Sequence, residues 1–371
     1  MTARHLVAFT LLLCVATAGA ADTPKPTFAD RVKESFPKWD VDKNGTLTRE
    51  EIDRAVSNPE IKGADAAAVV SLKRAVRNTK TKLPALTKEA ILELAASTAK
   101  DRPNLNGMYN SALERISGAN RELFPKGVPS LETLHQGRLG DCFCLAPLGS
   151  MVCRNPKDIV QMIRKQSDGS YLVRLGARDV AVPALTDAEL ALTATTGPDG
   201  VWVNVYEKAV GLLRVEKAKD AGSPASLIDL LAKGGSAGST IEVVTGHPIE
   251  RFSCKFAKEE KLSEKEFGAK LDDLRKKLTA AFAEKRLVTC GTASGGTKVP
   301  NVDGNHAYAV IGFDPKTDEI VLWNPHGQSF TPKGKPGLEH GYPTKNGQFR
   351  APLPEFVKVF AGVAFEVPPA K

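Results

Sequence analysis

The chemistry in this chain gathers in the run His135-Gln136-Gly137-Arg138-Leu139-Gly140-Asp141-Cys142-Phe143-Cys144. Gly137 and Gly140 mark a tight turn, and Asp141 suits a helix N-cap. Leu145, Leu148, Met151 and Val152 then form one apolar helical face. Cys142 therefore falls in the first turn of a helix, where the dipole favours a thiolate nucleophile. Gln136 can offer its side-chain amide to a developing oxyanion. A lone thiol is more simply a buried structural cysteine. Catalysis requires, in addition, a histidine and a residue that orients it.

Both types follow downstream, in Gly304-Asn305-His306-Ala307-Tyr308 and in Leu322-Trp323-Asn324-Pro325-His326-Gly327. Between them lie Val201-Trp202, Tyr206-Glu207-Lys208-Ala209 and Leu230 through Gly235. In this order the motifs resemble the calpain family of papain-fold cysteine proteases, from about Glu122 to the C-terminus. The resemblance implies an α+β fold with a papain-like core of two subdomains, a helical half bearing the cysteine and a β-rich half bearing His and Asn. It also implies an endopeptidase acting on polypeptides. Cys142 would be its nucleophile, His306 its base and acid, and Asn324 the residue orienting His306. Gln136 would form the oxyanion hole with the Cys142 N–H.

The residues around His306 support that geometry. His306 to Phe313 and Glu319 to Asn324 are β-rich and joined by Asp314 to Asp318, which predicts a hairpin. Any even register places His306 and Asn324 on one face. Three residues depart from the family pattern. Phe143 stands where Trp is usual, Pro147 interrupts the cysteine helix, and His326 replaces the Trp that shields the His–Asn hydrogen bond. Glu207 and Lys208 read as surface or structural residues of a core helix.

Near the N-terminus, the segment from Asp40 to Glu51 matches a twelve-residue EF-hand loop. Asp40, Asp42, Asn44, the Thr46 carbonyl, Thr48 and bidentate Glu51 supply the oxygens for Ca2+, and Gly45 permits the turn. Helices are expected at Phe28 to Trp39 and Arg49 to Val56. Leu47-Thr48-Arg49-Glu50-Glu51-Ile52 recurs 39 residues on as Leu86-Thr87-Lys88-Glu89-Ala90-Ile91. The second copy carries Thr79, Thr81, Leu83, Pro84 and Ala90 where ligands or the turn glycine belong. It should keep the helices and lose the cation.

Arg4 and His5 precede an apolar run from Leu6 to Ala16, and Ala18-Gly19-Ala20 supplies a cleavage site. That pattern is a signal peptide cut near Ala20, and it places the mature chain in a secreted or periplasmic setting with no membrane span. The expected organisation is a signal peptide at 1–20, a helical EF-hand-like module at 21–98, a linker and approach helix at 99–130, and the protease domain at 131–371. A protease domain cut near Asp101 is expected to keep most of its activity. Cys144, Cys153, Cys254 and Cys290 allow two disulfides or four free thiols.

The net charge of +8 is spread among interleaved Glu and Lys, without aromatic residues beside the cations, so nucleic-acid binding is not expected. Two other functions share these motifs. One is an inactive calpain-like module that binds protein partners with calcium. The other is a zinc site using Cys142, Cys144 and a histidine, for which a second Cys pair is missing.

Overall fold

Thr27 and Thr48 open the first two helices in the same way. Each hydroxyl accepts the N–H three residues on, and the carboxylate there, Asp30 or Glu51, accepts the threonine N–H in return. The helices are α1 (Phe28–Trp39) and α2 (Arg49–Ser57), followed by α3 (Gly63–Arg77) and α4 (Lys88–Ala96), which Thr87 caps. Leu47 N–H donates to Leu86 O at 3.0 Å, and Thr46 bridges Thr87. The sequence repeat thus joins two helix–loop–helix units at their loops, with both leucines buried. The computed structural model describes residues 26–369 apart from 81, 224 and 260–261. The signal-peptide reading lies outside the described residues.

Asn104 caps α5 (Leu105–Gly118), which lies within the stretch 99–130 expected to hold a linker and an approach helix. Then come α6 (Cys142–Arg154), α7 (Pro156–Met162) and an antiparallel sheet of β1 (Ile163–Lys165), β2 (Tyr171–Leu175) and β3 (Arg178–Val182). Four helices complete this half: α8 (Asp187–Leu192), α9 (Trp202–Asp220), α10 (Leu227–Ala232) and α11 (Ala237–Thr245).

Residue 98 is not a gap between two cores. The small residues of α3 let it pack closely on both α5 and α8, and its Ala66 to Val70 are buried. Lys73 of α3 is fully buried and pairs with Asp53 of α2 and with Asp229 of α10 at 2.8 Å. One apolar cluster runs from Phe28 through Tyr109 and Leu145 to Val244.

The rest of the chain is β-rich. An antiparallel sheet holds β4 (Ile249–Ser253), β5 (Val288–Thr292), β6 (Ala307–Asp314), β7 (Glu319–Trp323), β8 (Gln348–Pro352) and β9 (Phe360–Glu366) in the order β4-β9-β5-β6-β7-β8. Helix α12 (Glu264–Ala283) and helix α13 (Leu353–Val359) cover it. Alternation along β6 and β7 divides their side chains. Ala309 and Trp323 join the first core, while Tyr308, Val310 and Leu322 join a second. The chain crosses between cores after α11, at Gly246 with φ 75°. Gly149 of α6 lies directly on the Trp323 ring, where any Cβ would collide, and Ser150 Oγ accepts Val288 N–H at 3.1 Å. Helix α6 is thereby pinned to the sheet.

No helix among the described residues is long and apolar enough to cross a membrane. Cys142, Cys144, Cys153, Cys254 and Cys290 are all free thiols, so the two-disulfide alternative is not realised.

Candidate active site

Cys142 is the first residue of α6, and Asp141 occupies the N-cap backbone position. The Asp141 side chain does not cap. It turns into the core beside Glu207 of α9, and both carboxyls are fully buried. Glu207 accepts the Ala194 N–H through both oxygens, at 2.9 and 3.2 Å. Neither Asp141 oxygen has a hydrogen-bond partner of normal geometry, although the Gln136 side chain lies close enough to favour its ionised form in part. A proton held between the two carboxyls turns that contact into a hydrogen bond. Burial, followed by mutual repulsion at Glu207, pushes this pair upward. The surface reading of Glu207 and Lys208 is therefore corrected: both are buried, and Lys208 pairs with Glu189 at 2.8 Å. A helix of apolar spacing conceals such charges when each finds a partner.

Gln136 is held between the halves. Its N–H donates to Pro325 O at 2.7 Å, while its neighbour His135 exchanges two backbone bonds with Thr195. Its side-chain Oε1 is buried without a partner.

The opposite wall is built on β6 and β7. His306 Nε2 meets Asn324 Oδ1 at 2.9 Å. The Asn324 amide is fixed by its other contacts, because Nδ2 donates to Asp303 Oδ2 at 2.9 Å and Oδ1 accepts His326 N–H at 3.0 Å. Oδ1 must then face His306, so Nε2 carries the hydrogen and Nδ1 keeps a free lone pair. His326 stacks on His306, with centroids 4.6 Å apart and planes 9° from parallel, and Tyr308 meets the imidazole edge-on. The residue that stands where the family usually has Trp thus still covers the His306 ring. Asp303, His306 and His326 lie close enough to suggest a metal site. Parallel rings, however, do not aim their in-plane lone pairs at one point.

Gln136, Cys142, His306 and His326 line one cleft of about 840 Å³ between the two halves, together with Gly234 and Gly235. Burial pushes the Cys142 thiol up, the nearby Asp141 adds to this, and the Ala307 amide offsets part of it. Burial lowers His306 to about 4, His326 adds to the fall, and the Asn324 bond opposes it. Both groups are drawn toward their neutral forms. This opposes the thiolate that a helix N-terminus alone would favour. Cys144 is fully buried and does not line the cleft, which removes the paired-cysteine zinc reading. Phe143 is buried too, with Arg214 4.5 Å above its ring.

A family model described as calpain family cysteine protease matches residues 101–335. The chain belongs to the calpain family of cysteine proteases. A comparison with curated proteins finds no match. The calpain-family match spans Gln136, Cys142, His306 and Asn324 but stops before β8 and β9. Strand β9 nevertheless supplies Ala361 to Ala364 to the cleft. Asp303 is the site residue that sequence reasoning missed. An acid three residues before a candidate histidine was the available signal, and nothing in its spacing to Asn324 singled it out.

The loop from Asp40 to Glu51 lies far along the chain from this cleft. Oxygens of Asp40, Asp42 and Glu51 all lie within 4.8 Å of one another. Asp40 accepts Gly45 N–H at 2.9 Å, and Gly45 has φ 79°, which favours glycine. Glu51 accepts Val41 N–H at 2.8 Å and Thr48 N–H at 2.9 Å, and these bonds help hold its carboxyl low. Thr48 Oγ1 caps α2, and the Asn44 amide contacts Asp42 and Thr46. The backbone of Thr46 sits at the bridge to Thr87. Three converging carboxylates form an all-oxygen donor set that suits a hard divalent cation.

Proposed function

We propose that the chain is a cysteine endopeptidase working through Cys142, His306 and Asn324. In this reading His306 Nδ1 takes the thiol proton as Sγ bonds to the peptide carbonyl carbon. The Cys142 N–H and the Gln136 amide stabilise the resulting oxyanion. His306 then returns the proton to the leaving nitrogen as the C–N bond breaks, which leaves a thioester. Water, deprotonated by His306, attacks that thioester, and the acid leaves as Sγ regains a proton. Asn324 keeps the imidazole in the required tautomer throughout.

The observation that carries this reading is the fixed Asn324 amide. Asp303 and the His326 N–H leave it one orientation, and that orientation leaves Nδ1 of His306 free to accept a proton, which supports its role as base. The test is a peptide electrophile that reacts irreversibly with thiolates. It should label Cys142 alone, and Cys142→Ser should lose both label and turnover. Cys144→Ser should lose far less, because Cys144 is buried away from the cleft. A folded native chain that binds peptides without cutting them or taking the label would indicate a binding module.

The carboxylates of Asp40, Asp42 and Glu51 support a calcium-binding EF-hand, with Asn44, the Thr46 carbonyl and Thr48 completing its ligands. Calcium there would neutralise the converging charges and brace α1 against α2. The apolar run from Leu6 to Ala16 supports export, which N-terminal sequencing of the mature chain would check.

A further inference from the structure

The cleft wall has a one-sided charge. Arg138, Lys233 and Arg251 line it, and no carboxylate does. None of the three forms an ion pair among the described residues, although many other cations in the chain do. Arg138 stands in the turn before Cys142, and Lys233 opens the loop that follows α10. Gly140 and the Ala232 carbonyl bring those two segments together on one rim. Arg251 comes from β4 in the other half. Its Nη2 reaches across to Ser236 Oγ at 3.4 Å, a long and weak contact that leaves most guanidinium N–H groups free.

Unpaired cations on a low-dielectric wall focus a positive potential into the space between them. A guanidinium with free N–H groups matches a carboxylate through two parallel hydrogen bonds. We propose that the cleft selects acidic polypeptide segments, and that Arg251 takes an Asp or Glu side chain of the substrate while Arg138 and Lys233 strengthen the field. This rests on the endopeptidase reading above and adds its substrate class.

The test separates binding from turnover. Fluorescent peptides that differ only by Asp against Asn, or Glu against Gln, at successive positions are titrated into full-length Cys142→Ser. At one position the acid should bind about tenfold more tightly than the amide, and added salt should shrink the ratio. Arg251→Ala should remove most of the ratio, Arg251→Lys should keep part of it, and Arg251→Glu should turn it toward a Lys-bearing peptide. Equal binding of acid and amide at every position, or no binding at all, would overturn the proposal. So would a ratio that survives Arg251→Glu, or a short oligonucleotide that displaces the acidic peptide as well as the peptide itself does. Cleavage of the same peptides by the native chain tests the endopeptidase reading separately, since a charge preference in binding stands without it.

Discussion

His306 and Asn324 share one face of the β6–β7 hairpin because Ile311 stands unpaired between them and the turn. Near the turn Asp314 pairs with Glu319 and Gly312 with Val321. Continued unbroken, that ladder would set Asn324 opposite Ala309, whose side chain faces α6. The bulge at Ile311 shifts the register so that Ala309 pairs with Trp323. Asn324 then falls opposite Tyr308, two residues from His306 and on its face.

Deleting Ile311 should therefore separate base from orienting amide without destroying the hairpin. The expected loss in kcat is about 10²- to 10⁴-fold, the usual worth of a positioned general base. Ile311→Ala keeps the residue count and should stay close to native. Steady-state kinetics beside a thermal melt distinguishes the two; equal activity in both variants would show that the bulge does not position Asn324.

The stack of His326 on His306 makes a statement about pH. If His306 is the base, as proposed, activity should fall as pH drops through its pKa, which burial and His326 hold near 4. His326→Gln removes the repulsion and admits water, and both changes raise that pKa toward its ordinary value. The acidic limb of kcat/KM should move to higher pH. His326→Trp restores a flat apolar cover and should preserve turnover. An unmoved limb in His326→Gln would show that His326 does not act on the base.

The Asp141–Glu207 pair predicts a pH dependence of opposite sign. Its folded pKa values lie above the ordinary carboxylate range. The unfolded chain therefore loses these protons first, and stability is given up as pH rises through and above that range. Glu207→Gln supplies a permanent N–H donor to Asp141 and an oxygen to Ala194 N–H. Its melting temperature should vary less than the native one between pH 5 and 8. Glu207→Ala leaves both partners unsatisfied and should cost about 1–3 kcal/mol.

The continuous first core changes what truncation should do. A chain beginning near Asp101 would strip α3 from α5 and α8 and leave Leu105, Tyr109 and Ala112 exposed. It would also leave Asp229 without Lys73. Such a fragment is expected to melt well below the full chain or to aggregate, and not to retain most of its activity. In the full chain, saturating calcium should raise the melting temperature, and Asp40→Ala should abolish that gain. Calorimetry of the three samples with and without calcium tests both points.

The sequence disclosed the parts of this site that are local. Helix α6 was legible from the spacing of Leu145, Leu148, Met151 and Val152, and the hairpin from its alternation. The bulge was not, although Gly312 inside a strand pattern is the usual sign of one. The direction of the Asp141 side chain was hidden because Asp suits an N-cap whether or not it caps. The burial of Glu207 and Lys208 was equally hidden, since only tertiary contacts from Asp141, Ala194 and Glu189 make their interior positions tolerable. The junction of α3 with α5 and α8 was masked by a polar stretch from Ser97 to Asn106 that reads as a linker.

The bare Gly149 backbone lies flush against the buried Trp323 ring, so the helix carrying Cys142 and the hairpin carrying His306 meet at a point with no Cβ between them on the helix side. Half of the chemistry rides on each side of that point, which makes turnover a gauge of the seam's width. In rising urea the seam can loosen while each core keeps its own helices and strands. Hydrolysis is then expected to vanish at a lower urea concentration than the helical circular dichroism, and Gly149→Ala to widen the interval between the two midpoints.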